Sequence, residues 1–116
     1  MTTYLALIYS KDMDWDESRP ADMSGDYAEF GQAAAAVLRG GNALHSTATA
    51  TTVRVQGGKG GDVLTTDGPY AETKEALTGY YLLECADLEE AVKTAAMIPA
   101  AWSGGVIEIR PVVTFA

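Results

Sequence analysis

The chain has 116 residues, 47% hydrophobic and 21% charged, a mix that fills one globular domain over residues 1–116 and excludes disorder and collagen-like repeats. Acidic residues outnumber basic ones 16 to 8, and the resulting net charge of -8 repels nucleic-acid phosphates. A single cysteine (Cys85) and a single histidine (His45) leave neither an intrachain disulfide nor the ligand set of a zinc or His-rich centre, and no apolar run reaches the ~18 residues of a membrane span. Metal, nucleic acid and membrane are therefore not expected as partners, and the opening Met1-Thr2-Thr3-Tyr4, without a basic and apolar leader, points to the cytoplasm.

Residues 3–10 (TYLALIYS) are apolar and aromatic and run into a charged stretch, 11–19, as expected of a buried strand followed by a solvent loop. Met23-Ser24 offers a helix N-cap. Tyr27, Phe30, Ala34, Val37 and Leu38 then recur at three- and four-residue intervals up to Gly40-Gly41, which predicts a helix with one apolar face that closes at the glycine pair. Residues 43–56 are dense in Thr and Val and read as a strand, with His45 at its start. Gly57-Gly58-Lys59-Gly60-Gly61 then lets residues 62–66 fold back as a hairpin. This glycine run is not a phosphate cradle, because Gly60 follows Lys59 where such a loop needs Ser or Thr opening a helix.

Asp67-Gly68-Pro69 predicts a turn, with glycine taking positive φ and proline fixing the next φ. Residues 78–85 (TGYYLLEC) return to strand character. Asp87 and Glu90 form an N-cap and third-residue acidic pair ahead of a helix with Leu88, Ala91, Val92 and Ala95 on one face, ended by Pro99. Across residues 106–110 the alternation places Val106, Glu108 and Arg110 on one face and Ile107 and Ile109 on the other. The order β-α-β, hairpin, β-α-β is α+β: a ferredoxin-like split βαβ with an antiparallel sheet, helices on one face and an inserted hairpin. The second sheet face has no third layer in so short a chain, and a second copy of the same chain is the economical cover, so a homodimer is expected.

His45 is the only residue of the one type whose unperturbed side chain changes charge near neutrality, and it is the candidate for proton transfer; its alternative is a solvated or merely hydrogen-bonded group at the start of a strand. Asp67 is either a cap on its own turn or, if it shares a cavity with His45, the carboxylate that orients the imidazole. Tyr70 adds a hydroxyl next to the turn. Glu72, Lys74 and Glu75 read as a solvated face, with the acids suited to a first helical turn, while the whole stretch 67–75 is longer than a chain reversal needs and is assigned either to a pocket wall or to a subunit contact. Arg54 and Arg110 can each hold a ligand carboxylate, though in so acidic a chain an intramolecular salt bridge is the simpler use. Tyr80 and Tyr81 alternate faces, so one is expected in the core and the other at a cavity or a partner, with Tyr81 assigned to the ligand; Trp102 is read as core or as part of the same opening.

The stretch Asp67-Gly68-Pro69-Tyr70-Ala71-Glu72-Thr73-Lys74-Glu75 resembles the signature of the DGPF-motif branch of the YCII-related family. The resemblance extends to Thr49-Ala50-Thr51-Thr52-Val53-Arg54, Gly79-Tyr80-Tyr81-Leu82 and Glu108-Ile109-Arg110-Pro111-Val112, with Tyr70 where the family usually has Phe and Thr78 where a second glycine is common. It implies a dimeric α-β barrel in which two sheets pack face to face. The wider family resembles muconolactone-type isomerases in fold and includes a lactone dehalogenase, but the resemblance supplies no settled reaction; the leading expectation is a small polar or carboxylated metabolite held in the barrel, with acid–base chemistry of the isomerase or lyase type and no cofactor. On this view His45 moves the proton, Asp67 positions it, and Arg54, Tyr70, Glu72, Lys74, Tyr81 and Arg110 hold the ligand. Some relatives neighbour extracytoplasmic-function sigma factors, which implies the alternative of a non-catalytic accessory with a regulatory protein partner.

Overall fold

The computed structural model describes residues 1–15 and 23–115. In chain order the elements are β1 (Thr2–Ser10), α1 (Met23–Ala33), β2 (Leu38–Ala43), a 3-10 turn (Thr47–Thr49), β3 (Thr51–Gln56), β4 (Asp62–Asp67), β5 (Ala76–Cys85), α2 (Leu88–Ala96), α3 (Pro99–Trp102) and β6 (Val106–Pro111). Four strands form one antiparallel sheet in the order β2-β5-β1-β6, and β3 and β4 pair as a separate two-stranded sheet. The molecule is α+β, and its strand order is compatible with the ferredoxin-like plan, the β3–β4 hairpin being inserted between β2 and β5. Among the described residues no helix is long and apolar enough to cross a membrane.

Period-two alternation decides which side of the sheet is core. On β1, Tyr4, Ala6 and Ile8 are buried, opposite Leu83, Tyr81 and Gly79 of β5 and Pro111, Ile109 and Ile107 of β6. Phe30 and Ala34, then Ala91, Ala95, Ile98 and Ala100 close over this face, and the Phe30 and Tyr81 rings meet at 4.9 Å. The opposite face carries Leu5 and Leu7 paired with Leu82 and Tyr80, bordered by Glu108 and Arg110 as the alternation of β6 requires. No helix covers it.

Several expectations are corrected. The predicted first helix is shorter: α1 ends at Ala33, two further helix-type bonds follow (Ala34 N to Phe30 O and Leu38 N to Ala34 O, 2.8 and 2.9 Å), and Leu38 then enters β2 opposite Leu83. Gly40-Gly41 lies inside that strand. A Cβ at Gly41 would sit 2.5 Å from the Tyr81 ring, so the glycine answers to sheet packing, not to helix termination. The single strand expected over 43–56 is divided, because β2 stops at Ala43 and a 3-10 turn precedes β3; His45 therefore lies in a connection. Ser24 stands within the first turn of α1, and the position that caps this helix lies outside the described residues, as does part of the loop expected over 11–19.

In α2 the cap is as expected: the Asp87 carboxylate accepts from Glu90 N at 2.9 Å, and Glu90 reaches back to Ala86 N at 3.1 Å. Its buried face is Ala91, Thr94 and Ala95, whereas Leu88 and Val92 point to solvent, because small side chains let the helix lie close over the sheet. Pro99 opens α3 at its first turn, where its missing N–H costs nothing, and Trp102 is exposed. Residues 70–75 form no helical turn.

Candidate functional site

A cleft of about 740 Å³ opens where β1, the 44–50 connection, residues 69–73 and the start of β5 meet. Its polar lining includes Tyr9, Asp12, His45, Thr47, Tyr70 and Glu72, and its apolar floor includes Leu44, Pro69, Ala76 and Leu77. The backbone just before His45 is pinned through both polar groups of Leu44: Leu44 N donates to Thr78 O and Trp15 Nε1 donates to Leu44 O, each at 2.9 Å. The imidazole itself is exposed at the cleft.

Asp12 joins this site through a contact 35 residues away in sequence. Its carboxylate accepts from the Thr47 backbone N at 3.1 Å and from the Thr47 hydroxyl, which fixes the start of the 3-10 turn. Chiefly because the Thr47 hydroxyl donates to its charged form, with the Thr47 and Met13 N–H groups adding to this and slight burial opposing it, the carboxyl is held below its ordinary range. Asp12 thus stays ionised at neutral pH. Nothing in its position within a charged loop distinguishes it from its neighbours, which is why the sequence did not single it out.

The third wall hangs from the β3–β4 hairpin. Gly68, at φ +105°, donates its N–H to Ala50 O at 2.7 Å and accepts from Thr52 Oγ1 at 2.8 Å, so the positive φ expected of the glycine is present. Tyr70 follows, 79% exposed, with the Arg54 guanidinium 5.4 Å from its ring centroid. The salt bridge anticipated for Arg54 is replaced by this ring contact. Asp67 closes β4 opposite Thr51, and among the described residues its carboxylate neither accepts a hydrogen bond nor pairs with His45; the turn is held by backbone and by Thr52, which corrects the cap assignment.

The cleft therefore brings together His45, Tyr70 and Glu72 of the expected set, with Arg54 behind Tyr70. Lys74 is exposed just beyond Thr73, the last lining residue of that wall. Tyr81 lies on the helix side of the sheet against Phe30, and burial raises its phenol. Arg110 stands on the uncovered face opposite Leu5; ion pairs among the described residues join Arg39 to Glu84 and Glu89 to Lys93, and neither involves it. Cys85 is fully buried, and desolvation with nearby Glu90 and Asp87 raises its thiol, which removes it as a nucleophile. Among the described residues no group of three His, Cys, Asp or Glu side chains gathers as a metal site.

An α+β chain with one antiparallel sheet and a hairpin-walled cleft is the class that fold and site define. The model of the YCII-related domain matches residues 3–116, and the chain belongs to that family. It is similar to an uncharacterized protein of Rhizobium meliloti (strain 1021), 41% identical over 73 residues, which are 62% of this chain and 56% of that one. The chain thus spans little more than half the length of that relative.

Proposed function

We propose that the cleft binds a small polar metabolite, a lactone or its hydroxy-acid form, and that His45 moves a proton on it. The observation that carries this reading is the convergence of His45, Asp12, Tyr70 and Glu72 on one cavity of ligand size. In a 1,3-proton shift the imidazole takes a proton from a carbon next to the carbonyl and returns it to another, so no electrons leave the substrate and no cofactor is required. Tyr70 offers a hydroxyl donor to a carbonyl oxygen, while Asp12 and Glu72 line the same cleft. Among the described residues the lining carries two carboxylates and neither Lys nor Arg, so a neutral polar ligand suits the cleft better than a dianion, and Arg54, beside Tyr70, is the guanidinium available for a single carboxylate.

Deuterium wash-in from D2O into unsaturated lactones, followed by NMR, tests the chemistry. Wild-type protein is expected to exchange the acidic carbon proton and His45→Gln to lose about 10²-fold or more of that rate; exchange at the buffer rate in the wild type overturns the reading.

The uncovered sheet face supports a dimeric α-β barrel as the quaternary form, with the Leu5, Leu7, Tyr80 and Leu82 surfaces of two copies packed together. A regulatory accessory is the second reading, favoured by exposed Leu88, Val92, Met97 and Trp102 on and beyond α2. It predicts that Val92→Asp with Trp102→Asp removes cellular function while His45→Ala preserves it.

A further inference from the structure

The sheet leaves His45 without support of its own. Past Ala43, where β2 stops, pairing with β5 continues by one bond, Leu44 N to Thr78 O, and the chain next settles into regular structure in the 3-10 turn at Thr47. Between these points, among the described residues, His45 makes no hydrogen bond through its backbone or its ring. A side chain without a partner takes its aim from the backbone that carries it, and that backbone is fixed only by what holds its ends.

Residues 11–15, which follow β1, hold both ends. Trp15 Nε1 donates to Leu44 O at 2.9 Å, and the Asp12 carboxylate accepts from Thr47 N at 3.1 Å and from the Thr47 hydroxyl. The two contacts run in opposite senses, Asp12 with Thr47 and Trp15 with Leu44, so the loop lies antiparallel to the connection, with side chains where a sheet uses backbone. His45 and Ser46 are enclosed between the two rungs.

The Asp12 rung also replaces a cap. Ser46 occupies the cap position of the 3-10 turn and makes no side-chain cap bond, and the Thr47 N–H is taken by Asp12 instead. Both carboxylate oxygens are thereby engaged: Oδ1 accepts from Met13 N and Thr47 N, and Oδ2 from Thr47 N and the Thr47 hydroxyl. A carboxylate held in this way by the chain has little capacity left for a substrate proton, so its place on the cleft lining speaks for holding, not for chemistry.

We propose that Asp12 and Trp15 are positioning residues for His45: as a two-rung strap they fix the backbone of His45 and Ser46, and with it the direction from which the imidazole enters the cleft. The inference rests on the reading of His45 as the group that moves the proton, but half of its test uses no substrate. A reacting group misplaced by about 1 Å can lose on the order of 10²-fold in rate.

The test compares the full-length wild type with Asp12→Ala, Trp15→Phe, Thr47→Val and Thr47→Ser. Trp15→Phe keeps a ring and removes the N–H, while the two threonine variants remove and keep the hydroxyl. NMR reads the site alone. The wild type is expected to show an ordered His45 amide by heteronuclear NOE and a slowly exchanging Thr47 amide. In Asp12→Ala the Thr47 exchange is expected to rise at least ten-fold and the His45 NOE to fall, while the amide of Leu44, bonded to Thr78 O, stays protected and reports an intact sheet. Trp15→Phe is expected to lower the His45 NOE as well. Deuterium wash-in then reads the chemistry: turnover is expected to fall at least ten-fold in Asp12→Ala, Trp15→Phe and Thr47→Val with KM within two-fold, and Thr47→Ser to restore it. A His45 NOE unchanged in both strap variants, or wild-type turnover in a variant whose NOE has fallen, overturns the proposal. A wild type that exchanges no lactone removes the proton-transfer reading and leaves the NMR comparison to decide the strap. If Asp12→Ala fails to fold, Trp15→Phe and Thr47→Val, each lacking one donor, carry the same comparison.

Discussion

At Gly68 the backbone sits at φ +105°, a region in which a β-branched side chain clashes with its own carbonyl environment. Gly68→Val is expected to cost about 1–3 kcal/mol in a thermal or urea melt; a variant that melts with the parent would show that the turn tolerates another conformation. Asp67, one residue earlier, is exposed and accepts no hydrogen bond among the described residues, so Asp67→Ala is expected to change stability by no more than about 0.5 kcal/mol. Asp12 has a signed pH dependence. Its carboxyl is lowered by Thr47, so its stabilising contribution is fully present above the ordinary carboxylate range and is lost as pH falls through the lowered value, in the region below about pH 4. Thr47→Val removes the largest cause of the lowering. Acid titration of stability in this variant is expected to show a shallower loss below pH 4 than the wild type; identical acid limbs would count against the Asp12–Thr47 contact in solution.

At the scale of elements, α2 depends on its cap, and Asp87→Ala is expected to cost about 1 kcal/mol, read as a lowered urea midpoint at unchanged slope. That cap was legible in the sequence because capping is local: Asp87 and Glu90 lie within one turn of the backbone groups they satisfy. The first and last strands were legible for the same reason, since the apolar run of β1 and the alternation along β6 are properties of neighbouring residues. The end of α1 was not. Helical spacing continues through Val37 and Leu38, both of which do pack on the core, but Leu38 is recruited by β5, and the Gly41 that looked like a terminator is required by the Tyr81 ring across the sheet. In the site, His45, Tyr70 and Glu72 could be named from residue type and from the family stretch. Asp12 could not, because its value comes from Thr47, brought to it by the fold.

As a whole the molecule is a slab, 47 × 44 × 20 Å, with a radius of gyration of 16.4 Å, where a compact chain of this length has about 13 Å. A flat sheet covered on one side and a projecting hairpin account for that expansion, and both leave apolar surface that a second copy would cover. Because each copy carries -8, association works against Coulomb repulsion, and the dimer is expected to tighten as salt rises from about 20 to 500 mM and the screening length shrinks. Sedimentation at the two ionic strengths checks the sign: weakening with salt would mean that opposite charges, not neutral surfaces, hold the copies together.

His45, the only histidine, gives a single imidazole Cε1–H resonance, reporting from the cleft it lines. Following it in the folded protein against a set of small lactones and their hydroxy acids is the most direct measurement of the central claim. A saturable shift of that resonance by at least one member, weakened in Tyr70→Ala, is the predicted result. A resonance that no lactone or hydroxy acid moves at millimolar concentration, in a protein shown to be folded, would contradict it.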